Sequence, residues 1–149
     1  MTLEKKIPFN IPEGVNVLNE YYYDFASIRL RSDGITQINP SDDTTYTLDD
    51  TVKVHNTIIK LNENNPMLIL HVAGKHTTSE NESRTFLASE EGNRNRIASA
   101  YVLQSLAQRI VANFYYKMFK PRRPTKFFTN QKDAENWLLS FKQNKNLQN

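Results

Sequence analysis

The residues best equipped for chemistry in this 149-residue chain fall in the run Gly74-Lys75-His76-Thr77-Thr78-Ser79, where a cation, an imidazole and three hydroxyls follow an apolar stretch. A short helix is expected from Glu80 to Ser89, with Ser79 and Glu82 in the Ser-x-x-Glu spacing of a capping box. A strand-to-helix junction of this kind offers unpaired N–H groups and a positive dipole end to an anion. In open α/β sheets, ligands also gather at the carboxyl ends of strands. Lys75, His76, Thr77, Thr78 and Ser79 are therefore the first candidates for a ligand or partner site. The same residues equally suit a plain polar loop closed by Ser79 as a helix cap, a feature that stabilises by about 1 kcal/mol.

A second set is basic: Arg84, Arg94, Arg96, Arg109, Lys117, Lys120, Arg122, Arg123 and Lys126. Guanidinium forks match phosphates and carboxylates, and Tyr115, Tyr116 and Phe119 nearby could stack on bases. Nucleic-acid association through this basic part is the alternative reading of the chain. The spread of the cations along the sequence and the lack of any nucleic-acid motif favour a solvated face with partner-facing charges instead.

A helix from Gln104 to Phe119 carries more apolar surface than one buried face needs. Leu103, Leu106, Ile110, Phe114 and Met118 form the expected core stripe, which leaves Val111, Tyr115 and Phe119 for a homodimer interface, a pocket wall or packing under the turn from Pro121 to Pro124. Arg109, Asn113, Tyr116, Arg122 and Arg123 join the candidate contact residues here, with Asn113 suited to bonding a loop backbone.

Catalytic patterns are weak. His55, His71 and His76 could pair with Asp49, Asp50 or Ser79, but no nucleophile elbow, phosphate loop or paired-His motif accompanies them. His71 is expected to make a structural hydrogen bond within a buried strand. The chain has no Cys, which excludes disulfides, thiolate ligands and a Cys nucleophile, and its three His lack close ligand spacing. No metal and no cofactor are expected.

These groups need a scaffold. Alternation from Glu20 to Leu30 predicts a strand with Tyr22, Asp24, Ala26, Ile28 and Leu30 on one face; Ser32, Asp33 and Gly34 then turn the chain into a second strand over Ile35–Ile38. Thr51, Val54, His55, Ile58 and Leu61 predict a helix over Leu48–Glu63, stopped by Asn64, Asn65 and Pro66. Met67–Ala73 predicts a strand buried on both faces, and Ile97–Leu103 and Lys126–Thr129 predict two more. Asn130 is placed to cap a last helix whose Ala134, Trp137, Leu138 and Phe141 share one face. The order ββαβαβαβα implies an α/β domain with a mixed, largely parallel five-stranded sheet flanked by helices and joined by right-handed crossovers.

Hydrophobic residues make up 38% and charged residues 23%, enough for one packed core. The organisation expected is an N-terminal extension over 1–19, one domain over 20–142 and a polar tail over 143–149. No apolar run reaches the length of a signal peptide or membrane helix, so the chain is expected to be cytoplasmic, without membrane insertion. The net charge of +3 hides a polarity: residues 1–83 carry 7 basic and 12 acidic side chains, residues 84–149 carry 12 basic and 4 acidic.

The run Asn113-Phe114-Tyr115-Tyr116-Lys117-Met118-Phe119-Lys120-Pro121, then Pro124-Thr125-Lys126-Phe127-Phe128-Thr129, then Ala134, Trp137 and Leu138, resembles the small bacterial SpoIIAA-like or STAS-like proteins. It looks most like an uncharacterised group from the Bacteroidetes. The resemblance spans residues 20–142 and agrees with the element order above. It implies a cytoplasmic, non-enzymatic module in a superfamily that includes anti-sigma-factor antagonists and is related to lipid-transfer folds. In those antagonists a phosphorylatable Ser lies in an Asp-Ser-Ser/Thr-Gly-type motif; the corresponding stretch here, Ala73 to Ser79, lacks it. The expected function is thus a regulatory or interaction module, homodimeric, that binds a protein partner or a small anionic or apolar ligand without chemistry.

Overall fold

The computed structural model describes residues 10–148, with side chains through Lys142. In chain order the elements are β1 (Val17–Tyr22), β2 (Ala26–Arg31), β3 (Ile35–Pro40), β4 (Thr45–Tyr46), α1 (Leu48–Leu61), β5 (Met67–Val72), β6 (Thr78–Ser79), α2 (Asn81–Ala88), a 3-10 turn (Glu91–Asn93), β7 (Arg96–Val102), α3 (Leu106–Phe119), β8 (Thr125–Phe128) and α4 (Gln131–Gln148). The main sheet runs β1-β2-β3-β5-β7-β8. Its first three strands are antiparallel, whereas β3, β5, β7 and β8 are parallel. β4 and β6 form a small parallel sheet of their own.

The α/β class and the mixed sheet are as the sequence implies, but the main sheet has six strands, not five. The segment Glu20–Leu30 is two strands joined at Asp24 and Phe25, where Tyr23 and Ala26 bond each other's backbones. A two-residue loop reverses the chain and shifts the parity of its faces. Tyr21 thus pairs with Ile28, and Tyr23, not Tyr22, joins the core side of Ala26 and Ile28. β1 also takes in Val17–Asn19, and α4 continues through Gln148, so the expected extension and tail each supply part of an element.

Local chemistry sets the boundaries. Gly34 turns the β2–β3 hairpin at φ +93, a backbone region that other residues enter at a cost. Thr47 and Asp50 form a reciprocal capping box at the start of α1. Asn130 caps α4 as expected, accepting from the Asp133 N–H at 3.1 Å. The expected capping box of Ser79 and Glu82 is absent, because α2 starts at Asn81 and Glu80 takes the cap position without a side-chain bond.

Two layers of helix cover the sheet. On one face, Leu68, Leu70, Ala98, Ala100 and Val102 pack under Ala134 and Leu138 of α4, the small alanines allowing a close approach. On the other, Ile28, Ile38, Met67 and Ile69 meet Val54, Ile58 and Ile59 of α1. Beyond α1 this second face is covered by α2 and α3, and α3 is seated differently from the expected helix. Leu106, Ile110, Phe114 and Met118 are exposed, at 58% or more, while Ala112 and Tyr115 are buried. Its rotation is fixed at the N-terminus: Gln104 Nε2 donates to Ala73 O at 2.7 Å, and Gln108 Nε2 to Gly74 O at 3.0 Å and Thr77 O at 3.1 Å. The two amides turn the Gln108-Val111-Ala112-Tyr115 side toward the sheet and the larger apolar stripe toward solvent.

Candidate functional site

Between α3 and the sheet lies a cavity of about 150 Å³. Its floor is a single row of register partners across four parallel strands: Ile38 on β3, His71 on β5, Tyr101 on β7 and Phe127 on β8. The rings touch in series. Tyr46 lies 5.8 Å from His71, His71 lies 5.2 Å from Tyr101, and Tyr101 lies 5.6 Å from Phe127, centroid to centroid. Thr51 and Val54 of α1, Ser83 and Leu87 of α2, and Val111, Ala112 and Tyr115 of α3 complete the walls. The lining is mostly apolar and contains a few polar groups, the usual make-up of a small-molecule site.

Most of those polar groups are paired, Thr51 with Ser83 and Gln108 with Thr77 among them, but two are not fully satisfied. Arg96, 7% exposed, lines the cavity; its Nη1 donates to Ser99 Oγ at 3.2 Å, and its Nε has no partner. The Tyr46 hydroxyl, also buried, has none either. His71 makes ring contacts but no hydrogen bond among the described residues, which corrects the expectation of a structural one. Burial, reinforced by the Arg96 charge, pushes its pKa down to about 4, so the ring is neutral at physiological pH. Burial likewise raises the Tyr46 and Tyr115 hydroxyls above their ordinary range, and both stay protonated.

Arg96 reaches this place through a β-bulge. β7 carries one residue more than β5 between the pairs Met67–Arg96 and Leu68–Ala98. The extra residue, Ile97, packs with the α4 side, while Arg96 lines the α3 side. Bulges commonly re-aim a side chain in this way.

Of the candidates at the junction, Thr77, Thr78 and Ser79 line the cavity and Lys75 and His76 do not. The latter two are exposed: the backbone N–H of Lys75 donates to Asp42 Oδ1 at 2.7 Å, and His76 Nδ1 lies 3.0 Å from Asp43 Oδ1. No Ser79–His76 pair forms. Gly74 makes the loop possible, because a Cβ there would stand 2.8 Å from Pro40 O. Arg84 bonds both the carbonyl and the hydroxyl of Ser79 at the rim.

The remaining candidates lie outside the cavity. Arg109 and Asn113 sit on the exposed side of α3, and Tyr116 stands edge-on to Phe127 at 6.2 Å. Arg122 donates from Nε to Ala88 O at 3.3 Å, and Arg123 is exposed. Sequence reasoning passed over Tyr46 and did not separate Arg96 from its basic neighbours. The one signal for Arg96 was its position at the start of a strand, where a charge is about to be buried. Among the described residues no three His, Asp or Glu converge for a metal ion, and no helix is long and apolar enough to cross a membrane.

The family described as Domain of unknown function (DUF7793) matches residues 28–142. A crystal structure of an uncharacterised protein of the DUF3478 family from Shewanella loihica PV-4, with a SpoIIAA-like fold, superposes with a TM-score of 0.52. It shares 13% identity and covers 89% of this chain and 98% of its own. The chain therefore has the SpoIIAA-like fold that its C-terminal residues resemble. No curated protein matches it.

Proposed function

The chain belongs to the DUF7793 family, whose description assigns no activity, and we propose from its own geometry that it is a non-enzymatic binding module whose cavity holds a small, largely apolar molecule. The observation that carries this reading is the aromatic floor from Ile38 to Phe127 beneath α3, enclosing about 150 Å³. Close-packed interiors leave few voids larger than a water molecule, so this one stands out. A void of that order suits a ligand about the size of benzene.

The polar groups support holding over reacting. His71 is a neutral ring with no acceptor to orient it, and neither lining serine is held by a base, Ser79 being engaged by Arg84 and Ser83 by the Thr51 hydroxyl. Titration with toluene, followed by calorimetry and thermal unfolding, tests the reading. Saturable binding that raises the melting temperature, and that is lost in Ala112→Leu, is expected. Absence of binding to the folded wild-type chain contradicts it.

A second reading rests on a separate observation, the uncovered stripe Leu106, Ile110, Phe114 and Met118 on α3. Exposed apolar patches of this kind mark association surfaces. The occupant it suits is another copy of the chain packed head to tail, because Arg109 and Lys117 flank the stripe and residues 1–83 carry the acidic excess. Sedimentation should give a mass above 17.3 kDa that falls to that value in Ile110→Glu. A wild-type monomer at every concentration contradicts this.

A further inference from the structure

Three arginines are buried in the main sheet, and their surroundings differ. Arg29 bonds Glu20, with Nε 3.1 Å from Oε2. Arg31 bonds both Asp33 and Glu135 at 2.6 Å. Arg96, equally buried, has no carboxylate partner among the described residues; its one hydrogen bond goes to the neutral Ser99 hydroxyl. Glu91, on the 3-10 turn below it, is occupied by His55 at 2.8 Å and by Arg94 at 3.0 Å. A guanidinium removed from water without a counter-charge is strongly disfavoured, and buried charges are ordinarily paired, so Arg96 has room for an anionic partner.

The groups around Arg96 agree with this. His71 from β5, His55 from α1 and Tyr115 from α3 all lie within its field, and none of them is anionic. The Tyr46 hydroxyl adds a second buried donor in the cavity wall without an acceptor. The bulge at Ile97 places the cation on the cavity side of β7, so the arrangement is a feature of the backbone and not of one rotamer.

We propose that the cavity binds a small monocarboxylic acid, with its carboxylate paired to Arg96 and an aromatic or branched apolar body over the His71–Tyr101–Phe127 row. This rests on the reading of the cavity as a ligand site and adds the chemical class. A carboxylate matches the guanidinium fork and brings one charge to one cation. A phosphate would bring about two charges into a mostly apolar lining whose one buried cation is Arg96, the other lining arginine, Arg84, being part-exposed and bonded to Ser79. The volume of about 150 Å³ limits the body to roughly a benzene ring.

Benzoate and benzamide are the probes, because they share a shape and differ in charge. Calorimetric titration of the wild-type chain should show benzoate binding at least tenfold more tightly than benzamide. In Arg96→Met that preference should vanish. The Arg96 side-chain Nε–H resonance in a ¹H–¹⁵N spectrum of the wild-type chain should shift with benzoate, a readout that stands even if the variant does not fold. Equal affinities for the two probes, with the cavity resonances shifting, overturn the carboxylate assignment and leave the apolar site standing. Binding of neither probe overturns both.

Discussion

Arg31 Nη1 lies 2.6 Å from Glu135 Oε2, joining β2 to α4 across 104 residues of sequence inside the protein. The same guanidinium holds Asp33 Oδ2 at 2.6 Å and Gln37 Oε1 at 2.9 Å, so every side of a fully buried cation is answered. Glu135→Ala should lower stability by about 3 kcal/mol in urea unfolding, since it strips a carboxylate from a charge that cannot reach water. A change below about 1 kcal/mol would show that Asp33 alone is sufficient.

Arg96 should respond in the opposite direction. Its charge is buried without a carboxylate, so Arg96→Met is expected to raise the stability of the ligand-free chain by roughly 1 kcal/mol. The thermal midpoint reads this directly. A loss as large as that of Glu135→Ala would make Arg96 a structural cation rather than one waiting for a ligand.

Acid should weaken the fold through His71. Its folded pKa of about 4 lies below the ordinary value of 6.5, because burial and Arg96 disfavour the charged ring. Between those two values the unfolded chain binds the proton and the folded chain does not. Stability therefore rises with pH across that window and is lost as pH falls through it, on the order of 3 kcal/mol. Burial shifts His55 in the same direction, so His71→Phe should flatten part of the slope in urea midpoints measured from pH 4 to pH 7. Parallel wild-type and variant curves would remove His71 from the account.

The seating of α3 gives a matched pair of substitutions. Phe114→Ser, on the exposed stripe, should change stability by less than about 0.5 kcal/mol, whereas Leu138→Ala, fully buried under the sheet, should cost about 3 kcal/mol. Urea unfolding of both variants checks this, and a large loss for Phe114→Ser would return that stripe to the core.

Helix periodicity explains why this face was misread. The stripe from Leu106 to Met118 is the more hydrophobic side of α3 and looks like the buried one. The chain instead buries Ala112 and Tyr115, because Gln104 and Gln108 tie the helix to carbonyls of the β5–β6 loop. Such a tertiary amide contact leaves no periodic trace. Met67–Val72 was legible as a continuous apolar run, and the Ala134–Leu138 face by its helical spacing. The split at Asp24 was not, since a two-residue turn lets alternation run through it with inverted parity. Thr77, Thr78 and Ser79, which the strand-end rule singles out, do line the cavity, while Arg96 stands among eight other cations that sequence alone does not rank.

The central claim is that the space beneath α3 is a binding site. A map of ¹H–¹⁵N amide shifts during titration with benzoate tests it most directly. Saturable shifts are expected along the lining strands and helix, at Ile69–Ala73, Arg96–Val102 and Gln108–Tyr115, with Lys75 and His76 unaffected. Shifts confined to the exposed Leu106, Ile110 and Phe114 side, or no shifts at all, would contradict it.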